Sequence, residues 1–393
     1  MNKRLISALS VMSMIALLLC LSACATEYPL TITDTAGREI TFTMPVERVI
    51  VTSTDAAEAV VMLGAADKVV GISDTVQKKG YYFPELKKKQ SIGKWNALDF
   101  EMIGEIAKGG EENITPDIVV IGYSYPDKPY GIFGVEKGLA PFENIKAVAL
   151  EFTKPKNMTR ELETLGQILG KEEQASDYIN WYNEQSTSVQ QAVKGLEMPK
   201  VYAEWSSTAD LSTLGSGSGF DGVLSVARGY NVARALDGDY PKVGWEWVVT
   251  ENPDVIIKRQ TQSSDQTQIG WESEPSSDTA KLQSVRNELL ARSGANGISA
   301  VKSDRVYVMD WDVLNGLDQI VGVTYLAKLL HPEVDLDPVA VHKEYLDRLG
   351  LEYPGRGHSY TRSFPAKNDL HSLYIENHSF LLFWSFPFRT LEG

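Results

Sequence analysis

The run NMTRELETLGQILGKEEQASDYINWYNEQSTSVQQAVKGL, residues Asn157–Leu196, decides how the whole chain is read. Leu162, Leu165, Leu169, Tyr178, Ile179 and Tyr182 recur at helical spacing, which predicts one long amphipathic helix with a single apolar face. Asn157 or Thr159 can cap its start, and Glu161 and Glu163 suit the positive end of the helix dipole. Gly195 and Pro199 stop it. A stiff helix between two α/β lobes leaves a crevice, and crevices between lobes are where ligands bind. The other reading is an ordinary crossover helix inside one large domain. The helix length and the matched segments on either side weigh against it.

Those segments share one grammar. Before the helix, Arg48–Val51, Lys68–Ile72, Asp117–Ile121 and Ala147–Leu150 read as short buried strands, with a helix from Ala56 to Leu63. After it come strands at Val201–Ala203, Val255–Ile257 and Arg305–Met309, with helices at Asp221–Arg228, Leu317–Leu329 and Pro338–Leu349. Short apolar strands separated by helices imply parallel sheets. Two echoes link the halves: Pro116-Asp117-Ile118-Val119-Val120 with Pro253-Asp254-Val255-Ile256-Ile257, and Arg48-Val49-Ile50-Val51 with Arg305-Val306-Tyr307-Val308. Tyr28–Thr43 alternates around Ala36-Gly37, as a β-hairpin does. Gln260–Ser277 reads as a polar loop.

Composition narrows the function. The 393 residues can fill two cores, and a formal net charge of −14 excludes nucleic acid as a natural partner. Lys3 and Arg4, the apolar run Leu5–Leu21 and Leu21-Ser22-Ala23-Cys24 read as a lipoprotein signal with Cys24 as the lipidated residue; a membrane anchor is the alternative. Losing Lys3 and Arg4 takes the net charge from −14 to −16. Cys20 would leave with the signal, so no disulfide is expected.

In a parallel sheet, ligands meet the loops at the carboxyl ends of the strands. Those loops supply the candidate ligand-binding residues Thr54, Tyr82, Trp95, Tyr123, Tyr125, Trp205, Ser216, Arg259 and Trp311. Aromatic residues dominate, which suits a bulky planar or macrocyclic ligand; the plain alternative for each ring is core packing. Lys94, Lys258 and Arg259 can pair with anionic groups or remain solvated surface charges. Gly215–Gly219 precedes a helix and its amides can hold an anion, but no Gly-Lys-Ser/Thr ending follows, so nucleotide is not expected.

Negative evidence is sharper. All five histidines, His331, His342, His358, His371 and His378, fall outside the cleft loops, so no bare metal site is expected. No nucleophile elbow, zinc-protease motif or other catalytic set is present, and no cofactor or enzymatic role is expected.

Specific stretches resemble one family. They are Asp34-Thr35-Ala36-Gly37-Arg38 followed by Pro45–Ile50, Leu63–Gly71, Pro116–Val119, Gly229-Tyr230-Asn231-Val232, and Trp245-Glu246-Trp247 leading into Asn252–Ile256. In order and spacing they are similar to the iron-siderophore and vitamin B12 class of ABC-transporter solute-binding lipoproteins, over roughly Tyr28–Gly355. The resemblance implies the class III, helical-backbone fold: two Rossmann-like α/β lobes joined by one long helix. The expected divisions are a signal peptide at 1–24, lobes at 25–155 and 198–355, a connecting helix at 156–197 and an atypical tail at 356–393. It also implies a monomeric receptor, lipid-anchored outside the cytoplasmic membrane. Such a receptor captures a metal chelate and delivers it to an ABC permease and its ATPase. Ferric siderophore is the first expectation and a corrinoid or haem the second. Glu101 and Glu246 match the surface glutamates that dock such proteins on the permease. Lys108–Thr115 departs from the family pattern, which loosens the placement of Glu101. A surface interaction lipoprotein is the non-transport alternative.

Overall fold

Short β-branched strands buried on both faces build two separate parallel sheets. A computed structural model describes residues 27–80, 82–108, 118–142, 145–205, 211–260 and 280–353. The expected signal with Cys24, the tail from Arg356, and nearly all of the Gln260–Ser277 loop and of Lys108–Thr115 lie outside those residues.

The chain starts with an antiparallel hairpin, β1 (Leu30–Thr33) and β2 (Glu39–Phe42), turned at Gly37. The Asp34 carboxylate accepts from the Arg38 guanidinium at 2.7 Å and from the Ala149 amide at 3.0 Å, fixing the hairpin to the first lobe. That lobe runs β3 (Arg48–Val51), α1 (Thr54–Met62), β4 (Val69–Ile72), α2 (Asp74–Lys78), β5 (Gln90–Ser91), the ribbon β6 (Gly93–Lys94) and β7 (Ala97–Leu98), α3 (Phe100–Lys108), β8 (Ile118–Gly122), α4 (Ile132–Leu139) and β9 (Ile145–Ala149). Its sheet order is β5-β4-β3-β8-β9, all parallel.

The stretch predicted as one helix is two, α5 (Pro155–Leu169) and α6 (Glu172–Ala192). Gly170 caps α5 with φ +63°, a left-handed conformation that suits glycine. Gly166 lies inside the elbow, where an added Cβ would come 2.8 Å from that of Ala175. α5 packs against α1 of the first lobe and α6 runs on along the second, so together they back both sheets.

The second lobe comprises β10 (Lys200–Glu204), α7 (Gly219–Val226), β11 (Tyr230–Asn231), α8 (Trp245–Glu251), β12 (Val255–Gln260), α9 (Ala280–Leu290), α10 (Ser299–Lys302), β13 (Val306–Asp310), α11 (Gln319–Leu330) and α12 (Pro338–Arg348). Its order is β11-β10-β12-β13, again parallel. The sequence echoes become a structural one. The Arg48 strand pairs with the Pro-Asp strand β8, and the Arg305 strand pairs with the Pro-Asp strand β12. Each arginine donates to carbonyls at the end of a helix: Arg48 to Ala107 at 3.0 Å, Arg305 to Leu330 at 3.0 Å.

The lobes are stitched together behind the cleft. Glu58 of α1 is buried and accepts from the Tyr82 and Tyr345 hydroxyls, both at 2.5 Å, and from the Leu317 amide at 2.9 Å. Burial pushes its carboxyl up against the pull of those donors. Gly316 fits beside it only because it lacks a Cβ, which would fall 2.3 Å from the Glu58 carboxylate. Tyr178 of α6 donates to the Leu317 carbonyl at 2.5 Å. These contacts tie the two lobes together along one side.

His342 of α12 is buried edge-on to Tyr353 at 5.3 Å, and burial pushes its imidazole down to about 3. A depressed base contributes stability above its unfolded value that is lost as pH falls toward the folded one. Between pH 7 and pH 4 this group alone should remove about 3 kcal/mol. Urea melts of wild type and His342→Leu at both pH values test it. The wild type should lose that much more than the variant; equal losses would show that the imidazole is not held neutral.

Candidate ligand-binding cleft between the lobes

The strand-end loops of the first lobe assemble a ring of aromatic side chains. Asp74, at the end of β4, accepts from the Trp95 amide at 3.0 Å and so sets the indole at the cleft. Trp95 packs against Tyr130 with centroids 5.0 Å apart and against Tyr123 at 6.0 Å. Tyr123 and Tyr125 follow β8 and lie 5.5 Å apart. An added Cβ at Gly131 would meet the Tyr125 carbonyl at 1.8 Å, so glycine is what lets this loop fold back on itself.

The second lobe presents a matching wall. Trp205 follows β10, and its amide donates to the Ser212 carbonyl at 2.8 Å. Its ring packs on Tyr240 at 4.8 Å and on Trp311 at 5.6 Å, and the Arg259 guanidinium lies 3.5 Å over its face. Tyr240 is 46% exposed, so part of its ring is open to a ligand.

The two walls act on each other. Burial, then the neighbouring Tyr240, Glu151 and Asp239, push the Tyr125 phenol well up. Partial burial, then Asp239, Asp55 and Glu151, hold the Tyr240 phenol up, while Arg259 pulls the other way. Asp239 and Tyr240 belong to the second lobe; Asp55, Glu151 and Tyr125 belong to the first. The rings, hydroxyls and carboxylates of the two lobes therefore approach one another around Tyr125 and Tyr240, where the slot between the lobes is expected. Such a slot can grip a bulky ligand and orient it by hydrogen bonds.

Of the predicted residues, Trp95, Tyr123, Tyr125, Trp205 and Arg259 come together in these walls. Trp311 is nearly fully buried between Trp205 and Phe220, so it supports the wall from behind. Tyr82 is a correction. Turns following α2 send its ring inward, where it is buried on Phe83 and donates to Glu58, away from the aromatic cleft. Thr54 and Tyr82 line a small polar recess at the seam with Asp55, Glu58, Lys79 and Asp318. Ser216 is exposed at the start of the α7 loop. That glycine loop holds protein rather than an open anion site. Gly215 donates to the Asp239 carbonyl at 3.0 Å, and a Cβ on Gly217 would strike the Asp239 carboxylate at 1.9 Å. Lys258 is a second correction: it is buried and paired with Glu204 at 2.8 Å, not solvated or cleft-facing. Lys94 is exposed. Sequence reading missed Tyr130, Tyr240 and Asp239, which sit on loops rather than at strand ends.

Glu101 and Glu246 are both exposed, and each is the second residue of a helix, α3 or α8. Each helix leads into its lobe's Pro-Asp strand, β8 or β12. The two glutamates therefore occupy equivalent positions in the two lobes.

A profile of the periplasmic binding protein family matches residues 49–313. The chain is 23% identical over 316 residues to the uncharacterized ABC transporter substrate-binding lipoprotein YvrC of Bacillus subtilis (strain 168), covering 78% of this chain and 87% of that one. Among solved structures it is similar to the TroA-like periplasmic binding protein FepB from Veillonella parvula, with a TM-score of 0.64 and 21% identity over 83% of this chain and 97% of that one. It is also similar to the molybdate periplasmic binding protein MolA of Haemophilus influenzae, with a TM-score of 0.63 and 20% identity over 82% and 99% of the two chains.

Proposed function

The chain belongs to the periplasmic binding protein family, as the non-enzymatic, extracytoplasmic substrate-binding component of an ABC transporter, and from that premise we propose that its cargo is a metal chelate, a ferric siderophore first of all. The observation that carries the cargo is the pair of aromatic clusters, Trp95–Tyr123–Tyr125–Tyr130 in the first lobe and Trp205–Tyr240 in the second, brought near one another at Tyr125 and Tyr240. Ring faces of this breadth suit a chelate whose metal is already wrapped, and among the described residues no cluster of histidine, cysteine and carboxylate could hold a bare ion. A corrinoid or haem is the alternative cargo that the same walls admit. The lobes close on it by a small hinge motion, because the Glu58 seam and the α5–α6 pair hold the back together. Lipid on Cys24 keeps the loaded receptor at the membrane, as the lipoprotein relative suggests. Glu101 and Glu246 dock it on the permease.

The test is intrinsic tryptophan fluorescence of the chain lacking residues 1–24, titrated with ferric siderophores, haem, cobalamin and cobinamide. Saturable quenching by one class names the cargo. In Trp205→Ala, that affinity should fall by about tenfold or more, since a rigid ring at a wall centre carries a large share of binding. No response to any member of the panel would sink the chelate reading, and unchanged affinity in Trp205→Ala would remove this ring from the site.

A further inference from the structure

Among the described residues, the charged groups that act on the Tyr123, Tyr125 and Tyr240 hydroxyls are mostly carboxylates, while Lys94, Lys128 and Lys242 are exposed near the ends of the same loops. Glu151, just past the carboxyl end of β9, is buried and accepts from the Ser124 amide at 2.8 Å and from the Ser124 hydroxyl, which holds its charge within electrostatic reach of Tyr123 and Tyr125. Asp239 immediately precedes Tyr240, and its carboxylate borders Gly217 at the start of the α7 loop. Asp55, in the first turn of α1, points toward Gly316 and lies within electrostatic reach of both Tyr123 and Tyr240. Against these three, Arg259 supplies the cationic group acting on Tyr240, and it lies flat on Trp205. Lys79 lies deeper, in the seam recess with Glu58. Among the described residues, Lys258 and Arg292 are both engaged on Glu204 behind the second sheet.

We propose that the slot is selective by charge: it takes an uncharged or cationic chelate and rejects polyanionic ones. This rests on the chelate reading above and narrows it. Carboxylates on both walls repel a ligand whose outer surface is anionic, such as a tris-catecholate or a citrate complex. They accept hydrogen bonds from amines, amides and hydroxyls on a hydroxamate-type or corrinoid-type ligand. The formal net charge of −14 adds a long-range field of the same sign, which slows the approach of anions. Arg259 lies face-on over Trp205 and keeps its charge, one cation against the three carboxylates, so it tempers the rule without reversing it.

The experiment uses three ferric probes of similar size: a trihydroxamate with a pendant ammonium group, an uncharged trihydroxamate, and a trianionic tris-catecholate. Affinities are measured by tryptophan quenching at low and at physiological salt. The tris-catecholate should bind about a hundredfold or more weaker than the cation, with the gap narrowing as salt rises. The ratio of cation to neutral affinity then cancels general damage to the slot in variants. Asp239→Asn should lower that ratio about threefold to tenfold, and Arg259→Gln should raise it. Tightest binding by the tris-catecholate, or a ratio unmoved in both variants, overturns the charge rule while leaving the chelate reading intact. Binding of none of the three, with none of the wider panel bound, sinks both together.

Discussion

Uptake should fall to background in Glu101→Ala combined with Glu246→Ala, while the affinity for cargo stays where it was. Each glutamate is exposed on the first turn of a helix that opens before its lobe's Pro-Asp strand. Both helices are held rigidly. The Asp99 carboxylate accepts from the Met102 amide at 2.9 Å at the start of α3. Trp245, next to Glu246, donates its indole N–H to the Ser293 carbonyl at 2.8 Å and lies under the Arg292 guanidinium at 4.8 Å. Two fixed negative points on separate lobes can orient the receptor on a positively charged permease rim, and they can report the lobe spacing that changes on closure. Neither carboxylate belongs to the aromatic walls, so binding has no reason to change. Each single variant should retain part of the activity, because one contact still steers the encounter. Transport assays with labelled cargo and quenching titrations on the same preparations separate the two effects. Normal uptake by the double variant would show that this pair does not dock the protein.

How much of this was legible in the sequence depended on which side chains repeat. The strands were, because parallel strands covered on both faces must be runs such as Val49-Ile50-Val51 and Val255-Ile256-Ile257. The elbow at Gly170 was not. Leu162, Leu165 and Leu169 keep one face and Tyr178, Ile179 and Tyr182 keep another, but Leu169 and Tyr178 are nine residues apart, half a turn out of phase, and that slip was read as continuous. The aromatic walls were half legible. Trp205 and Tyr123–Tyr125 directly follow strands, where the chain must deliver side chains to the cleft. Tyr130 and Tyr240 arrive by loops, and nothing local marks them. Tyr82 was misplaced for the converse reason: a short turn after α2 reverses its ring into the seam, and a single aromatic residue does not announce which way it faces. Lys258 was misread because charge alone suggested solvent. Strand alternation carries the correction. Arg259 reaches the cleft side, so its neighbour on β12 must point to a covered face.

That covered face sets the second large effect. Glu204 and Lys258 are adjacent in register on β10 and β12, both buried, with Nζ 2.8 Å from the carboxylate. Arg292 closes the cluster from the end of α9, donating to the two Glu204 oxygens at 2.5 and 2.9 Å. Burial pushes the Glu204 carboxyl up, but the hydrogen bonds from Arg292 and the charge of Lys258 outweigh it and hold the group below its ordinary value. Burial pushes the Lys258 ammonium down, and Glu204 only partly restores it. Glu204→Leu therefore removes the carboxylate that pairs with the buried Lys258, and stability should drop by about 3–5 kcal/mol in urea melts at neutral pH. Lys258→Met should cost less, because Arg292 still satisfies both carboxylate oxygens. The informative variant is the pair, Glu204→Leu with Lys258→Met. Removing these two charges and filling the space with apolar groups should recover the part of the loss that comes from Lys258, while Arg292, 25% exposed, loses its carboxylate in both variants and so cancels in the comparison. A double variant no more stable than Glu204→Leu alone would mean that the loss comes from packing behind Trp205 rather than from an orphaned charge. The cluster would then serve chiefly to set the shelf on which the cargo rests.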